Sequence, residues 1–180
     1  MKEIEEHVEA IKELFEETEK RGIMLWLENG WAIDARLCKI TRAHEDIDVV
    51  YTHKQESEYK KLIQFLGYGK YEKTDYGFLT WKGNILLDSE PCFQINEEDN
   101  FKDFPKGSCP IEKQGIIRGY KVRCVSWEAM YFEFLGYIEE IPKDKWRNKD
   151  FESFRIVEEH LDEGSRHLLR DLHKKQKSNH

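Results

Sequence analysis

The chain has 180 residues, 39% of them hydrophobic and 13% aromatic, which suffices for one substantial core or two small packed subdomains and excludes a disordered polyelectrolyte. The formal charge of -7 disfavours long nucleic acids as partners, although a local basic site can still hold a nucleotide. We find no membrane-length apolar segment, signal peptide or C-x-x-C pair, so we expect a cytoplasmic protein without a membrane partner, monomeric or weakly dimeric.

Hydrophobic periodicity divides the first third of the chain into alternating helices and strands. Apolar residues at three- and four-residue intervals predict an amphipathic first helix, ended by Gly22. Short apolar runs bounded by turn residues predict buried strands. The predicted elements are a helix (2–19), a strand (23–27), a helix (31–37), a strand (47–51) and a helix (56–66).

Turn residues and a helix cap divide the rest of the chain. Strands are predicted over residues 70–73, 77–81, 84–93 and 120–125, and an irregular but ordered excursion over residues 94–119. Ser126 is a candidate N-cap that opens a mostly helical tail towards residue 175, with a break near Pro142. The polar residues 173–180 are expected to fray.

Two acidic motifs lie on predicted strands, one at the start of the strand over 47–51 and one within the strand over 84–93. Asp46 and Asp48 are two residues apart, so an extended strand projects both carboxylates from one face. Magnesium usually binds one or two carboxylates together with substrate phosphates, which makes this pair a candidate metal site. Asp88 and Glu90 repeat the spacing, and a third carboxylate beside a metal suits a general base. Taken alone, each acid is more often a solvent-facing or ion-paired residue.

A predicted strand, a turn and a helix start precede these acids. The free N–H groups of a helix N-terminus can bind a triphosphate, and Gly30 would let phosphates approach the backbone. Without the downstream acids, an ordinary strand-to-helix turn would be the better interpretation.

Taken together, the motifs resemble the DNA polymerase β type of nucleotidyltransferase fold and, within it, the aminoglycoside 2''-adenylyltransferases that confer antibiotic resistance. The matching strings are W-x-x-x-G-W-A-I-D-A-R-L (26–37), T-R-x-H-x-D-I-D (41–48), D-Y-G-F-L (75–79), L-L-D-x-E-P (86–91), G-S-C-P (107–110), V-R-C-x-S-W-E-A (122–129) and E-S-x-R (152–155). The resemblance implies an α+β fold: a nucleotidyltransferase domain over residues 1–125, with a mixed β-sheet flanked by helices, and a helical C-terminal subdomain over residues 126–180.

The resemblance also implies roles for individual residues. Asp46 and Asp48 would bind Mg²⁺ together with ATP, the AMP donor, and Asp88, counted with them in the metal site, would act as general base on an acceptor hydroxyl. The residues implied around the nucleotide are Asn29, Gly30, Arg42, His44, Tyr76 and Lys149. Tyr76 would alternatively line the acceptor cleft, and Lys149 would alternatively be a solvated helix lysine. The candidates for binding the ammonium groups of an aminoglycoside are Glu90, Glu128 and Glu133.

One segment departs from the family pattern, which usually has Gly-Gly or Gly-Ser before the tryptophan. This chain has Glu28-Asn29-Gly30, and asparagine tolerates a positive φ. A Glu28 side chain directed inward would weaken triphosphate binding by charge repulsion, whereas one directed away would leave it unchanged.

Two alternative functions stay open: the same chemistry on a lincosamide or another small acceptor, and a catalytically silent nucleotide-binding homologue. A transferase acting on RNA or protein is disfavoured by the acidic charge and small size.

Overall fold

A computed structural model describes residues 2–92 and 105–178. This part of the chain folds into a mixed five-stranded sheet, a separate two-stranded hairpin and six α-helices. The helices are α1 (Lys2–Lys20), α2 (Asn29–Arg36), α3 (Glu56–Phe65), α4 (Trp127–Glu140), α5 (Asn148–Glu159) and α6 (Glu163–Ser178). The strands are β1 (Leu25–Leu27), β2 (Ile47–Thr52), β3 (Lys70–Lys73), β4 (Phe78–Lys82), β5 (Ile85–Cys92), β6 (Gly115–Ile117) and β7 (Tyr120–Val122).

The five-stranded sheet has the order β1-β2-β5-β4-β3. Strands β2 and β5 are parallel, and the other neighbouring pairs are antiparallel. Because parallel strands need a long crossover, α3, β3 and β4 occupy the connection between β2 and β5. The register places Asp48 opposite Asp88. The mixed sheet with its flanking helices confirms the α+β fold predicted from the motifs.

Helix α1 contributes the apolar stripe that its sequence predicts. The core contains Val8, Ile11, Leu14 and Phe15, whereas the Glu and Lys residues between them are exposed or partly exposed. The buried β1 residues belong to the same core cluster. Side-chain burial of this kind stabilises an amphipathic helix more than its intrinsic propensity does.

The hairpin β6–β7 corrects the prediction of an irregular segment over residues 94–119, of which 94–104 lie outside the described residues. Strand β6 was not predicted because it begins with Gly115, and glycine is depleted in strands. Here it permits close packing: a Cβ on Gly115 would lie 2.5 Å from the Cys124 sulfur and 2.7 Å from Ala35 Cβ. The predicted strand over 120–125 ends at Val122, and Cys124 makes a single bridge to Leu27.

The helical tail begins where predicted. The Ser126 side chain accepts a hydrogen bond of 3.1 Å from the backbone N–H of Ala129, which confirms the N-cap. The tail breaks after α4, near Pro142 as predicted, and breaks again between α5 and α6. Helix α6 continues through Ser178, and Lys177 forms an ion pair with Glu139 on α4, so the expected fraying is wrong for residues 173–178. Residues 179 and 180 lie outside the described residues. None of the helices described has the length and hydropathy needed to cross a bilayer.

Candidate active site

Ten of the twelve predicted site residues line one cleft of about 520 Å³ between the sheet and the C-terminal helices. The sheet side is formed by the start of α2, the loop before β2, strands β2 and β5, and the β3–β4 turn. The opposite wall is formed by α4 and the start of α5. The predicted residues that line the cleft are Asn29, Gly30, Arg42, His44, Asp46, Asp48, Tyr76, Asp88, Glu133 and Lys149.

The acids from the two motifs are neighbours because β2 and β5 are. Asp48 and Asp88 face each other in register, and Asp46 lies just before β2 on the same cleft wall. Burial, reinforced by the charges of Asp46 and Asp88, raises the pKa of Asp48 well above its usual value. Burial also raises the pKa of Asp88 to about 6, against the opposing effect of a hydrogen bond from Tyr76. The three carboxylates therefore form a partly desolvated negative cluster.

This donor set fits a divalent cation. Magnesium prefers carboxylate oxygens, and a cation beside Asp46 and Asp48 would offset the repulsion between like charges. Within the described residues, no three His, Cys, Asp or Glu side chains already have the arrangement of a metal-binding group. A magnesium ion that keeps water and phosphate oxygens among its ligands does not require such a group, since one or two carboxylates suffice.

Tyr76 contacts the predicted general base directly. It lies in the β3–β4 turn, and its hydroxyl donates a hydrogen bond of 3.0 Å to Asp88 Oδ2. The turn packs closely on β5, because a Cβ on Gly77 would overlap the carbonyl oxygen of Ser89. The Tyr76 side chain is still 51% exposed, so a ligand in the cleft can contact its ring.

The turn between β1 and α2 survives the replacement of glycine by Asn29, which adopts a left-handed φ of 49°. Gly30 is needed for a reason that the sequence did not suggest. A Cβ there would overlap the imidazole of His44 and lie 2.9 Å from Arg42 Nη2. Gly30 therefore lets two basic side chains, rather than phosphates alone, approach the start of α2.

Asp34, on α2, fixes the loop that carries these basic residues. Its Oδ1 accepts hydrogen bonds from the backbone N–H and the hydroxyl of Thr41, and its Oδ2 is 2.7 Å from Nε2 of His44. Since an ionised carboxylate only accepts, we assign the proton of this bond to Nε2. His44 also packs on the Trp31 ring, with centroids 4.5 Å apart. Asp34 is buried, and it holds His44 at the cleft wall.

Lys149 enters the cleft from the first turn of α5. Its Nζ lies 2.7 Å from Glu45 Oε2, and Arg147 approaches the same carboxylate at 3.7 Å. Glu45 is in the loop between His44 and Asp46, so these ion pairs connect the two walls of the cleft. A triphosphate near Arg42, His44 and Lys149 would compete with Glu45 for the lysine.

The predicted acceptor acids divide into two groups. Glu90 and Glu133 line a smaller pocket of about 190 Å³ that shares Asp48 and Asp88 with the main cleft. Burial raises the pKa of Glu90 to about 7 and that of Glu133 to about 8, with further upward contributions from neighbouring carboxylates. Glu128 lies outside both cavities. It is five residues from Glu133 on α4, about 140° around the helix, so the two side chains cannot share a face.

Several residues of the cleft escaped the sequence prediction. Met130, Phe134 and Tyr137 share the face of α4 that presents Glu133, in the i, i+3, i+4, i+7 pattern of one helix side. That spacing was a usable signal. Glu28 is also part of the small pocket, where its side chain is 4% exposed. Glu28 is therefore directed inward, but into the small pocket and not into the main cleft that holds Arg42, His44 and Lys149, so the repulsion of a triphosphate considered above does not follow.

The sheet and its site together define a nucleotidyltransferase: a mixed sheet presents carboxylates from two neighbouring strands to a cleft with basic residues on its opposite wall. The sequence matches the family model of aminoglycoside-2''-adenylyltransferases over residues 10–150. The chain therefore belongs to this family, as its motifs predicted.

Known relatives agree with this assignment. The chain is 39% identical over 150 residues to a 2''-aminoglycoside nucleotidyltransferase of Escherichia coli, a match that covers 83% of this chain and 85% of the relative. A Klebsiella pneumoniae protein of the same description matches equally well. The crystal structure of ANT(2'')-Ia in complex with adenylyl-2''-tobramycin superposes with a TM-score of 0.90 at 36% identity, covering 95% of this chain and 98% of that one.

A more distant structure shares the fold. The lincomycin-bound lincosamide antibiotic adenylyltransferase LnuA has a TM-score of 0.60 at 21% identity, covering 83% of this chain and 97% of its own. At this identity the likeness extends to architecture alone, and it gives no information on the acceptor.

Proposed function

We propose that this protein transfers AMP from ATP to the 2''-hydroxyl of an aminoglycoside, with Mg²⁺ as cofactor. The observation that carries the proposal is the in-register pairing of Asp48 with Asp88 in a cleft that also presents Asp46. Family membership and the adenylyl-2''-tobramycin complex of ANT(2'')-Ia support the acceptor and the position of transfer.

The donor side of the cleft lies around the start of α2 and α5. Arg42, His44 and Lys149 would neutralise the triphosphate, and the backbone at Asn29 and Gly30 would contribute N–H donors. Asp46 and Asp48 would hold Mg²⁺, with Asp88 beside it as a third carboxylate. When bound, the ion would offset the phosphate charge that opposes nucleophilic attack.

Asp88 is the group proposed to move the proton. Its carboxylate would accept the proton of the acceptor hydroxyl as the oxygen attacks the α-phosphorus, and pyrophosphate would leave on the opposite side. The hydrogen bond from Tyr76 keeps the Asp88 carboxylate oriented towards the cleft. A general base of raised pKa is well matched to a hydroxyl substrate near neutral pH.

The acceptor would bind beside Asp88, where carboxylates predominate. Glu90 and Glu133 line the small pocket on this side and would form charge-assisted hydrogen bonds with its ammonium groups. An acceptor with several ammonium groups suits this negative field, whereas a neutral sugar would leave the acids without compensation.

Mass spectrometry of complete reactions tests the proposal. Protein, Mg²⁺ and ATP are incubated with tobramycin or lincomycin, with Asp46→Asn as the metal-site control and Asp88→Asn as the base control. We expect adenylylated tobramycin from the wild type only, while Asp88→Asn still binds ATP. Transfer by Asp88→Asn would refute the assignment of the base.

The reactions with tobramycin and with lincomycin decide between the remaining alternative functions. Adenylylation of lincomycin without tobramycin would assign the same chemistry to a different acceptor. Binding of ATP without adduct formation on either compound would instead favour a silent nucleotide-binding homologue, the alternative first suggested by Glu28.

A further inference from the structure

The small acidic pocket contains a third glutamate, Glu28, at the position where the motif departs from its family. Its backbone is extended, with φ -128° and ψ 170°. The N–H of Glu28 donates to the carbonyl of Asp48 at 3.0 Å, which ties this residue to β2. The side chain is 4% exposed and lines the pocket together with Glu90 and Glu133.

Among the described residues, the Glu28 carboxylate has no basic partner for its charge. Within the described residues, its side chain makes no capping hydrogen bond at the N-cap that it occupies, and the charges that act most strongly on it are those of other carboxylates. Likewise, no lysine, arginine or histidine of the described chain lines the pocket. A buried acid without a compensating partner costs stability, and burial with the nearby Glu133 and Glu90 charges raises the pKa of Glu28 well above its usual value.

The chemistry of the pocket selects an ammonium group rather than a phosphate. Phosphates would be repelled, and the basic residues that can bind them line the main cleft instead. A primary ammonium group has three N–H donors in a compact head, and three carboxylates can accept one bond each.

We propose that Glu28 is an acceptor-specificity residue that, together with Glu90 and Glu133, binds one ammonium group of the aminoglycoside. This inference rests on the proposed function and adds a residue that the family pattern does not supply. Glu28 acts on acceptor recognition, and the nucleotide binds without it. The small pocket therefore sets which amino-substituted sugars are accepted.

Calorimetric titration of tobramycin and, separately, of ATP with Mg²⁺ tests the proposal. The variant Glu28→Gln keeps the shape of the side chain and removes its charge, and Glu72→Gln on the exposed strand β3 is the control for net charge. We expect the Kd for tobramycin to rise by at least roughly tenfold in Glu28→Gln, with the Kd for ATP within about twofold of wild type. Glu72→Gln should bind both ligands as wild type does.

Analogues of tobramycin that lack one amino group at a time identify the partner. The analogue that lacks the contacted amino group should bind the wild type more weakly than tobramycin does. The same analogue and tobramycin should bind Glu28→Gln equally well, because the substitution and the missing amino group each remove the same contact. Equal losses for every analogue, or an unchanged Kd for tobramycin in a folded Glu28→Gln, would overturn the proposal. If Glu28→Gln does not fold, Glu28→Ala, which the extended backbone accommodates, takes its place in the same titrations.

Failure of this inference and failure of the proposed function give different results. A wild type that binds tobramycin through Glu28 but transfers no AMP would refute the activity and leave the recognition role intact. A wild type that transfers AMP while Glu28→Gln binds tobramycin normally would refute the role of Glu28 alone. Absence of tobramycin binding to the wild type would refute both.

Discussion

Asp48 and Asp88 lie directly opposite each other on the parallel strands β2 and β5. The two carboxylates share a cleft with Asp46, and burial together with mutual repulsion opposes their ionisation. An arrangement of this kind is unfavourable for the folded protein until a cation binds. The site is therefore expected to lower stability in return for activity.

Asp48→Asn should make the ligand-free protein more stable. Removal of one of the three like charges is expected to raise the free energy of unfolding by about 1 kcal/mol, a Tm increase of roughly 2–4 °C for a chain of this size. The measurement is thermal unfolding without Mg²⁺ or nucleotide. Asp144→Asn, at a solvent-exposed acid, is the control and should leave Tm unchanged. A lower Tm for Asp48→Asn would contradict the repulsion argument.

Tyr76→Phe should slow transfer without preventing it. The change removes the hydrogen bond to Asp88 Oδ2 but keeps the aromatic ring, so we expect kcat to fall by about three- to tenfold while the KM for ATP stays constant. Steady-state kinetics measure both constants. Tyr71→Phe, on the exposed strand β3, should behave as wild type. An unchanged kcat in Tyr76→Phe would show that the hydroxyl does not orient the base.

Lys149 and Glu45 should have opposite effects on ATP affinity. Lys149→Met removes a proposed phosphate ligand, so the Kd for ATP should rise by roughly tenfold. Glu45→Gln releases the lysine from its 2.7 Å ion pair, so ATP should bind up to a few-fold more tightly. The second effect is small because the Glu45 side chain is 70% exposed and solvent screens the pair. Effects of the same sign in equilibrium titrations would rule out competition for Lys149.

Gly30→Ala should disturb the site through His44. The added methyl group overlaps the imidazole, so His44 must move away from Asp34, and we expect a loss of about 1–3 kcal/mol in the free energy of unfolding. Transfer should fall at least tenfold because Arg42 is displaced too. Gly69→Ala is the matched control, since a Cβ there meets nothing within 4 Å. Urea unfolding distinguishes the two variants, and equal stability would contradict the steric argument.

Features encoded by neighbouring residues were predictable from the sequence. The Ser126 cap, the stripe of α1 and the spacing of Asp46 and Asp48 depend on local periodicity, and the structure contains the first two as predicted. The pairing of Asp46 and Asp48 with Asp88 in one site depends on the strand order, and that information came from the family resemblance rather than from spacing.

Contacts between distant residues were not predictable in the same way. The bond from His44 to Asp34 and the ion pair from Lys149 to Glu45 join elements whose relative placement no short pattern determines. The position of Glu128, in contrast, was predictable, because its spacing from Glu133 along the helix already implied that the two acids lie on different faces. Strand β6 was missed because Gly115 serves close packing with Cys124, which is visible only in three dimensions.

The register between β2 and β5 has a consequence for how this family can vary in length. A single inserted residue in either strand would bring Leu87 or Ser89 opposite Asp48 and turn the Asp88 carboxylate to the other face of the sheet. A residue added near Gly69, where the chain surface is open, would leave that pairing intact and cost little loop entropy. Insertions and deletions among active homologues should therefore accumulate between α3 and β3 and be absent from β2 and β5.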